Sequence, residues 1–396
     1  METVTNGGSS RQRPFRLIVT GGGTGGHTYP ALTAVRTLRA RLAAQGGTLD
    51  VMWVGKSDSL EARVAAAEGI AFGSVATGKI RRSKNPLRMM SPANVADMSR
   101  VPLGILQARQ IINRFKPDVV LATGGYVAVP VGVAATRACH VPLVVHEQTV
   151  RLGLANRTLA GAATRVAVSS ESSVPLLPEA VRSAAVVTGN PVRPEVFTGQ
   201  AEKALRALGL HGFDRRLPTV YVTGGAQGSQ QINTVVRDCL PWLLARANVV
   251  HQCGPDNVAV LRQHLVGLPA DLAARYYLTG YVGAELPDVL ALAEVVVSRS
   301  GAGTIAELTA LGKTGVFIPL ASSAGDEQAH NARHLAEAGA AVALLGQVTP
   351  ETLQAAVGPL LEDPLRRAGI AERARAHGRP DAAERLVDVV LDAAGR

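Results

Sequence analysis

Residues 17–30 constrain the fold more than any other stretch. The short apolar run Leu17-Ile18-Val19-Thr20 ends in five glycines and a threonine, Gly21-Gly22-Gly23-Thr24-Gly25-Gly26. His27 then leads into apolar residues at helical spacing, Ala31, Val35, Leu38 and Leu42. This reads as strand, tight loop and helix N-terminus. Glycine allows positive φ and lets a ligand approach the backbone closely. The first helical turn offers unpaired N–H groups and the positive end of the helix dipole to an anion. The device recurs: Thr219-Val220-Tyr221-Val222-Thr223 runs into Gly224-Gly225-Ala226-Gln227-Gly228-Ser229, and a helical pattern follows. Two α/β halves of one design would face each other across a cleft.

The chain has 396 residues, enough for two domains with full cores. Strand-like and helix-like segments alternate throughout, which predicts parallel sheets. The run Gly189-Asn190-Pro191-Val192-Arg193-Pro194 is a poor element interior and marks a boundary. The expected organisation is a polar tail over 1–14, an N-terminal domain over 15–190 and a second domain over 191–379. A last helix over 380–396, after the break at Pro380, would cross back to the first domain. Cys139, Cys239 and Cys253 have neither metal-site nor disulfide spacing, which fits buried thiols in a reducing compartment. Residues 1–14 do not read as a signal peptide, and no apolar run approaches the roughly 18 residues of a membrane span.

Charge is divided unevenly. Residues 1–195 hold 23 Lys and Arg against 11 Asp and Glu, whereas residues 196–396 hold 18 against 20. A basic first half suggests an anionic partner: a lipid surface, a phosphorylated substrate or nucleic acid. Nucleic acid ranks last, because no RNA-binding aromatic motif or zinc-finger spacing is present. Lys79, Arg81, Arg82, Lys84 and Arg88 lie within ten positions, interleaved with Ile80, Pro86, Leu87, Met89 and Met90. That mixture suits an anionic membrane surface. A solvated basic loop over ordinary core residues is the equally weighted alternative.

Other strands end in polar or glycine residues, where parallel α/β sheets place ligands. One is Val119-Val120-Leu121-Ala122, followed by Thr123-Gly124-Gly125-Tyr126. Another is Leu143-Val144-Val145, followed by His146-Glu147-Gln148-Thr149. In the second half, Val295-Val296-Val297-Ser298 leads through Arg299-Ser300-Gly301 to a helix start, Ala302-Gly303-Thr304-Ile305-Ala306-Glu307. A strand over 316–319 precedes Gly325-Asp326-Glu327-Gln328, where Asp326 could cap a helix. Gly21, Gly23 and Gly26 also satisfy the dinucleotide pattern G-x-G-x-x-G. That pattern wants an acidic residue ending the second strand, and here Val51-Met52-Trp53-Val54 ends in Gly55-Lys56. His27 reads either as a group facing the loop's ligand or as a helix-start residue bonded to a carbonyl. Glu147 reads either as a site residue or as a cap or ion-pair partner.

Taken in order, these motifs resemble the MurG family of bacterial peptidoglycan glycosyltransferases over roughly residues 15–345. The resemblance rests on Gly22-Gly23-Thr24-Gly25-Gly26-His27, Thr123-Gly124-Gly125-Tyr126, His146-Glu147-Gln148, Gly189-Asn190-Pro191-Val192-Arg193, Gly224-Gly225-Ala226-Gln227-Gly228, Arg299-Ser300-Gly301-Ala302, Glu307, Gln328 and Asn331-Ala332. It implies a GT-B fold, two Rossmann-like domains with the acceptor side N-terminal and the nucleotide-sugar side C-terminal. It implies transfer of N-acetylglucosamine from UDP-GlcNAc to lipid-linked MurNAc-pentapeptide, turning lipid I into lipid II. It also implies a peripheral position on the cytoplasmic face of the plasma membrane, in contact with other cell-wall synthesis proteins.

By the family pattern, the donor would meet Thr24, Gly25, Gly26, Thr149, Arg193 and Ala226. The uracil would lie near Val282, partly on backbone. Ala302, Gly303, Thr304, Ile305 and Ala306 would follow the diphosphate, Glu307 the ribose hydroxyls and Gln328 the GlcNAc hydroxyls. The acceptor would lie against Gly124, Gly125, Tyr126 and Glu147. Three departures matter: the family usually carries Asn at the position of Thr149 and Ser at that of Ala226, and a two-glutamine pair appears here as Glu327-Gln328, where the family varies at the first position. Losing one neutral hydrogen bond costs about 1 kcal/mol, which weakens binding without abolishing it.

The mechanism expected from the resemblance is one inverting displacement, in which the acceptor's 4-hydroxyl attacks the anomeric carbon as UDP leaves. His27 is the first candidate for the base, since an imidazole titrates near neutrality, and Glu147 is the second. No D-x-D pair occurs in the chain, so neither a metal nor another cofactor is expected. Helix N-termini and glycine loops would stabilise the diphosphate instead. Three alternatives share the fold: a transferase acting on another lipid acceptor such as diacylglycerol, a sugar-nucleotide 2-epimerase, and an inactive UDP-GlcNAc-binding protein.

Overall fold

The computed structural model describes residues 13–78 and 92–396. The basic cluster Lys79, Arg81, Arg82, Lys84 and Arg88 lies outside the described residues.

Seven strands form the first sheet: β1 (Phe15–Gly21), β2 (Leu49–Gly55), β3 (Ala71–Ser74), β4 (Val119–Gly124), β5 (Leu143–Glu147), β6 (Arg165–Val168) and β7 (Ala185–Val187). Their order is β3-β2-β1-β4-β5-β6-β7 and every pairing is parallel. The second sheet holds β8 (Thr219–Thr223), β9 (Asn248–Gln252), β10 (Tyr276–Thr279), β11 (Val295–Ser298), β12 (Thr314–Phe317) and β13 (Val342–Ala343). Its order, β10-β9-β8-β11-β12-β13, repeats the scheme, again all parallel. In such sheets the connections diverge at one switch point, between β1 and β4 here and between β8 and β11 in the second. The crevice for a ligand opens there, beyond the strands' carboxyl ends.

The strands carry no polar alternation because both faces of each sheet are covered. On β1, Leu17 and Val19 join the core formed with helices α1 (Gly25–Ala44) and α8 (Ala382–Ala393). Ile18 points the other way, into a core with Ala108 and Ile112 of α3 (Pro92–Phe115). The last helix therefore belongs to the first domain: Leu386, Val387, Val390 and Ala393 are buried beside Val35, Leu38 and Leu121. Between β2 and β3 runs α2 (Leu60–Ala67), capped by Ser59, whose Oγ accepts from the Ala62 N–H at 3.2 Å.

Two local expectations shift. The strand expected over 316–319 runs over Thr314–Phe317, with the Ile318 N–H still donating to the Ser298 carbonyl at 2.8 Å. Asp326 precedes α6 (Glu327–Glu337) but makes no side-chain cap bond. Its φ of 55° turns the chain out of a short 3₁₀ segment instead.

Candidate active site in the cleft

The glycines of the first domain form two loops that press on each other. Gly125, at φ +84°, lies so close to the Gly22 carbonyl that a Cβ there would stand 2.3 Å from its oxygen. Gly124, at φ +104°, sits beneath the His27 ring, 3.0 Å from Cε1 by the same measure. Any side chain at either position would push the loops apart or displace the imidazole. Tyr126 stands exposed at the same rim. The Thr123 hydroxyl donates to the His27 carbonyl at 2.9 Å. From below, the buried Glu61 on α2 accepts from the Gly23 N–H at 3.0 Å. Helix α1 begins at Gly25 with no side-chain bond from its cap residue Thr24, so its first turn keeps its positive end toward the cleft.

His27 is half-buried, and its Nδ1 lies 2.9 Å from Gln148 Oε1. Gln148 Nε2 lies 2.8 Å from the His146 carbonyl and 3.0 Å from His146 Nδ1. His146 Nε2 in turn lies 3.0 Å from the Gly189 carbonyl, at the start of the interdomain connection. His146 is fully buried, and burial pushes its pKa down to about 4.

Two residues expected to face substrate are turned inward. Glu147, the second candidate for the base and an acceptor contact by the family pattern, is buried with four donors on its carboxylate. Oε1 takes the Thr149 N–H at 3.1 Å and the Thr149 hydroxyl at 2.8 Å; Oε2 takes the Gly153 N–H at 2.8 Å and Asn156 Nδ2 at 2.9 Å. These bonds tie Glu147 to the loop 147–156 and order it. Thr149, expected on the donor, turns its hydroxyl inward, where its one hydrogen is shared between Glu147 Oε1 at 2.8 Å and the Arg151 carbonyl at 2.5 Å.

The second-domain wall is built differently. Helix α5 (Ala302–Leu311) starts after Gly301, which has no side chain to cap it. Ala302, Gly303, Thr304, Ile305 and Ala306 form its half-buried opening turns, and Arg299 lies just before them with its buried Nε unpartnered. One turn in, Glu307 Oε1 receives both Nε (2.8 Å) and Nη2 (2.7 Å) of Arg193 from the interdomain connection. Its Oε2 takes no bond among the described residues. Burial lifts the Glu307 carboxyl above the ordinary range, against the opposing pull of Arg193.

Gln328 accepts the Leu320 N–H on Oε1 at 3.0 Å. Ala226 is exposed on the second glycine loop. Val282 is buried, and its N–H donates to Gln252 Oε1 at 2.9 Å, which leaves the carbonyl as that residue's polar backbone group for a base. Gln252 Nε2 also donates to the Gly225 carbonyl at 2.9 Å, tying the glycine loop to the Val282 segment. Asn331 joins the walls: Oδ1 accepts the Val150 N–H at 3.3 Å and Nδ2 donates to the Ser300 carbonyl at 3.2 Å. The cavity between the domains is lined by Gln148, Asn190, Ala302, Ala306, Asn331 and His334, among others.

Residues 17–168 match the Glycosyltransferase family 28 N-terminal domain and residues 219–386 the Glycosyltransferase family 28 C-terminal domain. The chain belongs to glycosyltransferase family 28. Among relatives of this transferase, a protein of Halothermothrix orenii is 32% identical over 96% of this chain and 99% of its own length. Another, of Desulfitobacterium hafniense, is 34% identical over 96% of this chain and all of its own. Both are named UDP-N-acetylglucosamine–N-acetylmuramyl-(pentapeptide) pyrophosphoryl-undecaprenol N-acetylglucosamine transferase. The structure of MurG from Acinetobacter baumannii superposes with a TM-score of 0.73 at 26% identity, covering 96% of this chain and all of that one. A putative UDP-N-acetylglucosamine 2-epimerase from Listeria monocytogenes shares the fold at a TM-score of 0.65 and 18% identity, covering 96% and 97%.

The transferase packs α1, which carries His27, against α5, and Gln148 and the α5 start line the cavity between the domains. The role of Gln148, the support from Glu61 and the tie made by Gln252 were not foreseen. Only Gln148, beside His146 at a strand end, carried a sequence signal.

Proposed function

We propose that this transferase moves N-acetylglucosamine from UDP-GlcNAc to the 4-hydroxyl of lipid-linked MurNAc-pentapeptide, converting lipid I to lipid II with inversion at the anomeric carbon. The names and near-complete coverage of its relatives support the substrates. The observation that carries the chemistry is His27, half-exposed at the uncapped start of α1, held through Nδ1, on a helix that packs against α5 of the second domain.

The acceptor oxygen forms the new bond to the anomeric carbon while the bond from that carbon to the diphosphate breaks. The acceptor's proton passes to His27, and UDP departs with the bonding electrons. Negative charge growing on the diphosphate meets the first-turn N–H groups of α5, beside Arg299. Glu307 Oε2 accepts from ribose hydroxyls. The uracil lies against Val282, and Gln328 Nε2 reaches the sugar. Gly124, Gly125 and Tyr126 form the acceptor side. Glu147 shapes that side by ordering its loop.

The reaction runs without a divalent metal. The absence of a D-x-D pair from the sequence supports this. The basic segment 79–88 rests on the anionic inner leaflet, so the enzyme is peripheral and meets the other cell-wall proteins there. No helix among the described residues is long and apolar enough to cross a membrane.

The test is transfer of labelled GlcNAc from UDP-GlcNAc to a soluble lipid I analogue with EDTA present. Product supports both the acceptor class and the metal-free reaction. No product with UDP-GlcNAc bound would move the assignment to another acceptor, diacylglycerol first. Activity rescued only by Mg²⁺ would overturn metal independence.

A further inference from the structure

The hydrogen bonds behind His27 leave no freedom in where its proton sits. Gln148 Nε2 stands 2.8 Å from the His146 carbonyl. A carbonyl only accepts, so this atom is the amide nitrogen and Oε1 is the atom facing His27. An amide oxygen also only accepts, so the hydrogen in the 2.9 Å contact with His27 lies on His27 Nδ1. The neutral ring then carries its lone pair on Nε2, which takes no bond among the described residues.

The bonds further back are polarised in the same way. Gln148 Nε2 donates its second hydrogen to His146 Nδ1 at 3.0 Å, which puts the His146 proton on Nε2, where it donates to the Gly189 carbonyl at 3.0 Å. Burial keeps His146 neutral, as an imidazole that must donate at one nitrogen and accept at the other. Gly189 is itself fixed in place. At φ +84° it tolerates no side chain, and a Cβ there would stand 2.5 Å from Cβ of Arg379 in the second domain.

We propose that Gln148 and His146 are positioning residues that lock His27 in the Nδ1-protonated tautomer, aiming the Nε2 lone pair at the acceptor hydroxyl, with the interdomain connection at Gly189 as the fixed end of the relay. This rests on the reading of His27 as the base. A carboxylate commonly orients such an imidazole; here a neutral amide does so. The amide enforces the tautomer while adding no negative charge beside the departing diphosphate.

The test combines a spectrum with kinetics on the full chain. Nitrogen-labelled imidazoles give two-bond proton–nitrogen correlations that distinguish the tautomers, and the His27 signal is assigned by its loss in His27→Ala. In the unaltered protein, His27 is expected to be protonated on Nδ1. Gln148→Leu should release it to the Nε2-protonated form usual for free histidine. It should lower kcat at least about tenfold, with the KM for UDP-GlcNAc within about twofold, since a wrong tautomer disables the base without touching donor contacts. Gln148→Glu keeps an acceptor for the Nδ1 proton and should restore that tautomer, with a kcat above that of Gln148→Leu.

An Nε2-protonated His27 in the unaltered protein, or a full kcat in Gln148→Leu, would overturn the proposal. The spectrum of the unaltered protein decides the matter even if Gln148→Leu fails to fold. Failure of the base assignment looks different: His27→Ala would then turn over normally while the Nδ1 tautomer was still observed.

Discussion

The two walls of the cleft solve different problems with different materials. The first-domain wall is wired by side chains: His27 to Gln148, Gln148 to His146, Glu147 to four donors, Glu61 to the loop beneath. The second-domain wall, tied by Glu307, Gln252 and Asn331, offers small residues and backbone toward a ligand: a glycine before α5, an alanine where a hydroxyl would be expected, a buried Val282. Proton transfer requires one atom to be correctly aimed, so it calls for locked rotamers and tautomers. Stabilising a diphosphate requires several donors pointing roughly the same way, which a helix start supplies whatever its side chains. The same contrast appears within the pair of glycine loops. After the second, Ser229 caps helix α4 (Gln230–Asp238), its Oγ accepting from the Ile232 N–H, whereas α1 after the first loop is left uncapped.

The contrast between the two walls is sharpest at His27. His27→Ala should lower kcat by about 10²–10⁴-fold with the donor KM little changed; steady-state kinetics against UDP-GlcNAc checks it, and near-normal turnover would remove His27 as base. Next is acid. The folded pKa of His146 is depressed to about 4, and that of His251, buried against Asn233 and Tyr276, to about 3. The unfolded chain therefore binds more protons once pH drops below about 6.5. Stability contributed by these neutral imidazoles is whole above that value and should decline as pH falls toward 4, by a few kcal/mol in urea-unfolding measurements. His251→Gln should flatten the curve.

On the other wall, effects should be smaller and fall on binding. Glu307→Ala should raise the UDP-GlcNAc KM about tenfold, the loss of charge-assisted bonds to hydroxyls, with kcat nearly kept. An unchanged KM would sink the ribose role. Smallest is Thr149→Val. With the hydroxyl bonded to Glu147, the change should cost about 1 kcal/mol of stability and leave the donor KM alone. A raised KM with full stability would show that the hydroxyl serves the donor after all.

Much of this architecture was legible because parallel strands buried on both faces appear as plain apolar runs ending in glycine or polar residues. The positions of β1, β4, β5, β8 and β11 follow from that pattern, and so does the cleft. What was not legible depends on partners far apart in the chain. Gln148 and His27 are 121 positions apart, and Glu61 and Gly23 are 38. The bond from Thr149 to Glu147 spans only two positions, but it depends on the fold burying that carboxylate, which the local residue pattern does not indicate. Residue type alone makes Glu147 a candidate proton acceptor; its burial and its bonds to Thr149, Gly153 and Asn156 become visible only in the fold.

The last helix has a consequence for how the protein is made. Helix α8 closes the core of the first domain, with Leu386, Val387 and Val390 filling a wall that residues 13–190 leave open. Each such aliphatic side chain contributes about 1.5–3 kcal/mol on burial. The ribosome, adding about 5–20 residues per second, releases the first half well before that wall exists. The nascent first domain waits with an apolar face uncovered while the whole second domain is synthesised and folds. Its completion waits on residues 382–393, and a chain truncated before them loses the lid of its first core.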